Sequence, residues 1–200
     1  MSDQRWRGGL TTRIVLGGIF LSACGGEAAR DADARRADSS RAATTPVGAS
    51  TPDAGVLVRD AAGRDLGTLI VRGEGEGIAI FGTLERLPPG THGFHLHDTG
   101  RCEAPFESAG DHWNPTSRQH GRENPGGPHL GDLPNLTVPE DSTVVLQVMT
   151  GGTLRGATAL LDQDGAAVVI HAGPDDERTD PAGNSGSRIA CGVVTAGPPG

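Results

Sequence analysis

The chain has 200 residues, of which 35% are hydrophobic and 3% aromatic, and its formal net charge is −8. This length is enough for one domain with extensions, and the acidic balance argues against nucleic acid as a partner. The apolar residues are concentrated after residue 54, so we expect one packed domain in that part of the chain.

The first 23 residues have the features of a targeting segment. Three arginines precede an apolar run at residues 14–23, which is shorter than the about 20 residues that a bilayer-spanning helix needs. The run ends in Leu-Ser-Ala-Cys at residues 21–24, which resembles a bacterial lipobox, where the cysteine is acylated. We therefore expect residues 1–23 to be a lipoprotein signal peptide, with an ordinary secretory signal as the alternative. A lipid on Cys24 would hold the protein on a membrane of the cell envelope, facing the periplasm or the exterior.

The segment after this cysteine is rich in Ala, Ser, Thr, Asp and Arg and has no apolar stripe. Such a segment cannot bury enough apolar surface to offset the entropy that is lost on ordering. We interpret residues 24–53 as a flexible tether to a domain at residues 54–196. Residues 197–200 are interpreted as a tail.

Short alternating runs separated by turn residues fill the domain, and no window has a convincing helical period. This pattern predicts an antiparallel all-β domain. The eight predicted strands are GVLVRD, DLGTLIVR, GIAIFGTL, HGFHLH, NLTV, STVVLQVM, GAAVVIH and RIACGVV.

Histidine is concentrated in residues 92–132, which hold six of the seven histidines. His95 and His97 lie two residues apart in an alternating segment, so both side chains leave the same face of an extended strand. The following loop, residues 98–132, is rich in Gly and Pro and is too long to be idle in a compact domain. It carries His112, His120, His129 and Asp132.

This crowding of histidine indicates a metal site, because neutral imidazole is a common ligand for both copper and zinc. Three nitrogens with one carboxylate suit a tetrahedral zinc site, whereas an all-imidazole set suits copper. The chain offers more histidines than one ion needs. We therefore expect two ions side by side, with one histidine that binds an ion through each ring nitrogen. Taken alone, any pair of these residues is also consistent with ordinary polar strand or loop positions.

Five motifs occur in the order HGFHLH, AGDHWNP, HLGDL, HAGPDD and GNSGSRIACGVV. Together they resemble the copper/zinc superoxide dismutases, and in particular the bacterial envelope form, over about residues 54–196. The resemblance implies an eight-stranded antiparallel Greek-key β-barrel with a long metal-binding loop. It also implies an enzyme that converts superoxide to oxygen and hydrogen peroxide.

The same resemblance assigns roles to single residues. Asp175 matches a carboxylate that hydrogen-bonds ligands of both metals, with the adjacent Asp176 as the alternative. His92 matches no ligand, and we expect it to be a hydrogen-bonded structural residue. The implied copper ligands are His95, His97, His112 and His171, and the implied zinc ligands are His112, His120, His129 and Asp132.

Copper would be the turnover metal, because zinc has no redox chemistry. In the family mechanism the bridging imidazolate, here His112, is released from copper on reduction, is protonated, and returns its proton to the peroxide product. Zinc would hold that ring in place. Arg188 matches the arginine that attracts superoxide in the family's active site.

The charge balance opposes an anionic substrate. From residue 55 onward the chain has ten arginines against nineteen acidic residues, a balance of −9, so local positive potential must do the steering. The chain has no lysine, which puts the family's lysine-assisted guidance in doubt. Arg178 is only a weak substitute, and Asp111, beside His112, would lower the local potential.

The three cysteines can be divided by context. With Cys24 assigned to the anchor, Cys102 and Cys191 remain as a pair in an exported and therefore oxidising environment. We expect a disulfide that ties the start of the metal loop to the last strand. Two free thiols are the alternative.

A second hypothesis is a binding module of the same fold that buffers or delivers copper and zinc without turnover. Non-catalytic relatives of this fold typically lack a ligand or the arginine, whereas this chain has the full set, so the enzyme is favoured. The sequence leaves open whether the protein is a monomer or a homodimer, and which membrane would hold the anchor.

Overall fold

The computed structural model describes residues 54–156 and 159–196. The predicted signal peptide, Cys24, the tether and the tail lie outside the described residues, so their assignments stay predictions. In the described part of the chain, no helix is long and apolar enough to cross a membrane.

The described residues form β-strands and a single 3-10 turn, Glu107–Ala109. All pairings between the strands are antiparallel, so the predicted all-β antiparallel architecture is confirmed. The strands are β1 (Ala54–Asp60), β2 (Asp65–Glu74), β3 (Gly77–Glu85), β4 (Gly90–His92), β5 (Phe94–His97), β6 (Leu136–Val138), β7 (Thr143–Gly151), β8 (Ala166–His171) and β9 (Arg188–Ala196).

Seven strands form one sheet in the order β5-β8-β9-β1-β2-β3-β7, and β4 pairs with β6 in a second sheet. The crossover that inserts β8 between β5 and β9 joins distant parts of the sequence. In the register of β5 and β8, Phe94 faces Ile170 and His97 faces Ala167. His171, the last residue of β8, donates its backbone N–H to Gly93 O. The topology therefore places His171 beside the histidines of β5.

The run HGFHLH forms two strands rather than one. His92 ends β4, which pairs with β6, whereas Phe94 begins β5, which pairs with β8. Gly93 separates them and donates its N–H to Gly173 O, and a β-carbon at this glycine would collide with Ser185. The prediction of a single strand here is wrong, and the described part of the chain has nine strands instead of eight.

The alternation along β5 separates the apolar core from the histidines. Phe94 and Leu96 are fully buried in the main apolar cluster. The residues that alternate with them, His95 and His97, therefore leave the opposite face of the strand. Burying a side chain such as Phe or Leu contributes about 1.5–3 kcal/mol. The two histidines therefore stand on a strand whose position is fixed by core packing.

The predicted metal-binding loop folds back on the edge of β5 that does not pair with β8. Leu96 N–H donates to Gly131 O, and Trp113 N–H donates to Leu96 O. Two isolated β-bridges place His112 opposite His97 and Asp132 opposite His95. The middle and the end of the loop are thus aligned with the histidine strand.

The predicted disulfide between Cys102 and Cys191 is confirmed, with 5.7 Å between the two α-carbons. It ties the first part of the loop to β9. Cys191 is buried in a second apolar cluster that also contains Phe106 and Val169, and the half-buried Cys102 packs against it. The disulfide therefore fixes the loop segment around the 3-10 turn against the outer face of β8 and β9.

Candidate metal centre

Four buried histidines face one another beside β5, and each can place one ring nitrogen within 4.8 Å of the others. They come from β5, from the loop and from the end of β8: His95, His97, His112 and His171. At most 6% of each residue is exposed. Buried polar atoms normally have a hydrogen-bond partner, yet one nitrogen of each ring has none: His95 Nδ1, His97 Nε2, His112 Nε2 and His171 Nε2. A metal ion would satisfy these four atoms.

An oxygen atom of the protein faces the other nitrogen in each of the four rings, and for His112 it is the carboxylate of Asp132. His97 Nδ1–H donates to Gly110 O at 3.0 Å, and His171 Nδ1–H donates to Gly186 O at 3.1 Å. His95 Nε2–H donates to Asp175 Oδ2 at 2.6 Å. Because a carbonyl only accepts, the facing nitrogen carries the proton and the unpartnered nitrogen presents its lone pair. The set therefore fits an ion that prefers imidazole, as copper does.

A second group surrounds Asp132, whose Oδ1 lies 2.9 Å from His112 Nδ1, 3.0 Å from His120 Nδ1 and 3.2 Å from His129 Nδ1. In a tetrahedral zinc site, bonds of about 2.0–2.1 Å place neighbouring ligand atoms about 3.3 Å apart. The distances around Asp132 are close to this value. Three imidazole nitrogens and one carboxylate oxygen therefore have the composition and the spacing that suit zinc.

Backbone donors fix the second oxygen of this carboxylate. Asp132 Oδ2 accepts the backbone N–H of Gly121 at 2.8 Å and that of His129 at 2.9 Å. Its Oδ1 is then free to face the three nitrogens. The loop thus orients the carboxylate through its own backbone.

His112 belongs to both groups. Its Nε2 is one of the four unpartnered atoms, and its Nδ1 faces Asp132. The ring centroid lies 4.0 Å from that of His95 and 5.6 Å from that of His129. One ring therefore presents a nitrogen to each group, which is the arrangement predicted from the excess of histidines.

Asp175 links the two groups from behind. Its Oδ2 accepts from His95, and its Oδ1 accepts from His120 Nε2–H at 3.0 Å. Asp176 instead accepts from Thr179 and Asn184 at the surface. Of the two adjacent carboxylates, the structure places Asp175 against histidines of both sets.

Burial keeps the histidines of the first group neutral. It lowers the pKa of His95 to about 3 and that of His171 to about 4. It also lowers the pKa of His112, and it lowers the pKa of His97 well below the ordinary value. Neutral imidazoles have the lone pairs that metal binding requires. In the metal-free protein these lone pairs are therefore available at neutral pH.

His120 has the opposite shift. Burial acts to lower its pKa, but hydrogen bonds to Asp132 and Asp175 raise it to about 10. Burial also favours the neutral form of both carboxyl groups, yet their hydrogen bonds to histidine hold each pKa below its ordinary range. A metal that binds His120 must displace this proton, so the two carboxylates hold a cation here in either state.

Backbone carbonyls of the loop hold the Arg188 guanidinium. Nη1–H donates to Phe106 O at 2.7 Å and Nη2–H donates to Gly110 O at 2.8 Å. Gly110 O also accepts from His97, so one carbonyl orients both the arginine and a histidine of the first group. Gly110 has φ 76°, and a β-carbon there would collide with Asp98. This position therefore requires glycine.

A vestibule of about 570 Å³ opens from solvent onto His112, His129 and Arg188. Arg118 lines it, whereas Arg178 does not and instead pairs with Glu123. The suggestion that Arg178 replaces a guiding lysine therefore finds no support here. The carboxylates of Asp98, Asp111, Asp162 and Asp180 also line this vestibule.

Several positioning residues escaped the sequence analysis. The carbonyls of Phe106 and Gly110 act through the backbone, which leaves no side-chain signal. Asp180 accepts the backbone N–H of His120 at 2.6 Å, and its place near HAGPDD is the only sequence signal that could have identified it. His92 was predicted to be structural, and its ring nitrogens lie 2.8 Å from His171 O and 2.8 Å from Pro88 O.

Comparison with known proteins gives one consistent family. A family model described as copper/zinc superoxide dismutase (SODC) matches residues 66–194. The chain is 46% identical over 123 residues to "Superoxide dismutase [Cu-Zn] 1" of Aquifex aeolicus, which covers 59% of this chain and 73% of that protein. It is 38% identical over 144 residues to "Superoxide dismutase [Cu-Zn]" of Caulobacter vibrioides, with 69% and 83% covered. The crystal structure of a SOD-like protein from Bacillus subtilis is similar with a TM-score of 0.66 and 38% identity, over 70% of this chain and 97% of that one.

Proposed function

This chain belongs to the copper/zinc superoxide dismutase family, and we propose that it converts superoxide to oxygen and hydrogen peroxide with copper and zinc that would be held by the two groups sharing His112. In the balanced reaction two superoxide anions and two protons give one molecule of each product. The observation that carries the proposal is the set of four buried ring nitrogens that face one another without a partner. A fold that needed these histidines only for packing would not leave all four atoms unsatisfied.

We assign copper to His95, His97, His112 and His171, and zinc to His112, His120, His129 and Asp132. Copper when bound supplies one-electron redox chemistry, which zinc lacks. The four unpartnered nitrogens support the first set, and the spacing around Asp132 supports the second.

The chain's own residues attract the anion and move the proton. Arg188 places a positive charge beside the first set, since its guanidinium shares the carbonyl of Gly110 with His97 Nδ1 and the residue pairs with His171 in the sheet. His112 Nε2 is buried and has no protein partner, so it is the atom that can take up a proton and pass it to the product. Asp132, on the Nδ1 side, keeps the ring in place during this transfer.

The direct test combines metal analysis with a superoxide-consumption assay on the purified domain. We expect one copper and one zinc per chain and rapid loss of superoxide, and removal of copper by chelation should abolish activity while the protein stays folded. A protein that holds both metals and never consumes superoxide would instead be a metal-storage module.

Asp175→Asn should release zinc before copper and weaken zinc binding about 10- to 100-fold, which is the usual cost of losing a carboxylate that orients metal-binding histidines. Zinc should be released first because the substitution weakens two contacts that position His120, one at its ring and one through the segment that binds its backbone. Its ring is held by Asp175 and its backbone by Asp180, on a segment that Asp175 also anchors through Glu177 N–H. On the copper side, three of the four histidines keep their partners.

Metal content during stepwise chelation would be measured by mass spectrometry. Asp176→Asn is the matched control, because this neighbouring carboxylate is exposed and contacts no histidine. His120→Ala, which removes a proposed zinc ligand, should also lose zinc first. Earlier loss of copper in both Asp175→Asn and His120→Ala would refute the division of the ligands.

We also propose that the enzyme is a lipoprotein of the cell envelope, with the domain at residues 54–196 connected through the tether at residues 24–53 to a lipid on Cys24. The support is the short apolar run and the Leu-Ser-Ala-Cys sequence at residues 21–24. Its substrate is superoxide.

Cys24→Ser should move the protein from the membrane fraction to the soluble fraction and leave its activity unchanged. The reason is that acylation needs the thiol, whereas the proposed metal ligands all lie far along the chain, at residues 95–171. Fractionation followed by immunoblotting would measure the distribution. A variant that remains on the membrane would show that another element provides the attachment.

A further inference from the structure

The vestibule above His112 has an unusual charge for a protein whose substrate is an anion. Four carboxylates line it, those of Asp98, Asp111, Asp162 and Asp180, against two guanidinium groups, those of Arg118 and Arg188. Both arginines donate to backbone carbonyls, so they are already fixed in place. The balance at the entrance therefore favours cations over anions.

Two carboxylates of the entrance, those of Asp111 and Asp162, are available to a ligand, whereas Asp98 Oδ1 accepts from Thr99 Oγ1–H and from the backbone N–H of Asp111. Asp111 and Asp162 are exposed, and among the described residues no basic side chain pairs with Asp98, Asp111 or Asp162. The side chain of Asp111 makes no hydrogen bond in the described structure, and Asp162 accepts only the backbone N–H of Gly165. Their charges are therefore not used to hold the fold together.

A second observation points from this entrance to a metal ion. The vestibule reaches His112, which is 6% exposed and whose Nε2, in the proposed copper set, is buried without a hydrogen-bond partner. An ion that enters here meets the exposed carboxylates of Asp111 and Asp162 before the buried nitrogen of His112. Copper binds imidazole in preference to carboxylate oxygen, so the carboxylates can attract the ion without retaining it.

We propose that Asp98, Asp111 and Asp162 form an acidic rim that recruits the copper ion to the histidines, at the expense of a slower approach of superoxide. This inference rests on the proposed copper site and adds its route of loading. The same charges act on both ligands with opposite sign. Because electrostatic energy scales with the charge of the ligand, a divalent ion feels twice the energy that superoxide feels.

The test uses the double variant Asp111→Asn/Asp162→Asn as zinc-loaded, copper-free protein mixed with Cu²⁺ alone. At low ionic strength, removing both charges should speed superoxide consumption by the copper-loaded enzyme about threefold. It should slow Cu²⁺ uptake about ninefold, which is the square of the first factor because the ion carries two charges. Stopped-flow absorbance of the copper–imidazole complex reports uptake without any turnover. Both differences should shrink as salt screens the rim.

Glu76→Gln/Glu140→Gln is the matched control, because it changes the net charge by the same amount at two exposed residues that do not line the vestibule. Uptake in the rim variant equal to that in this control would overturn the proposal. Slower uptake together with slower superoxide consumption would also overturn it, since that pattern indicates damage to the channel. A failure of the enzyme itself is seen separately, as a protein that takes up copper normally and never consumes superoxide.

Discussion

Cys102→Ser should lower the melting temperature of the domain by roughly 10 to 20 °C. The disulfide joins residues separated by 89 positions, and closing a loop of this length is worth about 4 to 5 kcal/mol in the chain-entropy model. Typical domains have only about 5 to 15 kcal/mol of stability in total. The variant is made at Cys102 because this residue is half-buried, whereas Cys191 is 1% exposed in an apolar cluster.

Thermal melts of metal-free protein would measure the effect, so that metal loss does not contribute to it. The wild type in reductant should melt near the variant, and reductant should leave the variant unchanged. An unchanged melting curve, together with two titratable thiols in the untreated wild type, would contradict the assignment. Activity should fall along with stability, because the loop that the disulfide ties down supplies Phe106 O and Gly110 O to Arg188.

The strands were predictable because their signal is local. Period-two alternation reports which face of a strand is buried, and it correctly separated Phe94 and Leu96 from His95 and His97. Alternation does not report which strand pairs with which. Within the run HGFHLH, His92 pairs with β6, whereas Phe94–His97 pair with β8. Only the tertiary structure decides that break.

The proposed site was predictable to the extent that its chemistry lies in side chains. Histidine and aspartate leave a clear signal when they are crowded in one loop, and the structure brings these residues together in two groups that share His112. The carbonyl of Gly110 orients both His97 and Arg188, but a carbonyl is present at every residue and leaves no signal. The sequence suggested Arg178 as a guiding charge, because the sequence does not show which arginines lie near the proposed site in the folded protein. The structure places Arg118 in the vestibule instead.

Arg188 is held in a way that gives its charge a fixed position. Its side chain is 14% exposed, and the two carbonyl bonds satisfy the guanidinium without neutralising it. Glu107 is the nearest carboxylate, at 3.9 Å, and its side chain is 77% exposed, so solvent screens that pair strongly. The positive charge is therefore largely available to an anion in a domain whose overall field is negative.

Arg188→Ile should reduce the rate constant for superoxide consumption by roughly tenfold or more while both metals stay bound. A unit charge pair about 4 Å apart is worth about 1 kcal/mol in bulk water and about 4 kcal/mol near a protein surface, and each 1.4 kcal/mol is a factor of ten in rate. Metals should stay because Arg188 is not among the proposed ligands. Raising the ionic strength should favour the variant relative to the wild type, since salt then screens mainly repulsion.

Metal content, rate constant and salt dependence would be measured side by side for wild type, Arg188→Ile and Arg188→Lys. Lysine keeps the charge but cannot reproduce the two-carbonyl geometry, so it should recover only part of the rate. Arg178→Gln is the matched control, because it removes an equal charge that pairs with Glu123 outside the vestibule, and it should change the rate less than twofold. Full activity in metal-replete Arg188→Ile would remove this arginine from the mechanism. A rate that falls equally in Arg178→Gln would show that net charge, rather than the fixed position of Arg188, governs the approach of superoxide.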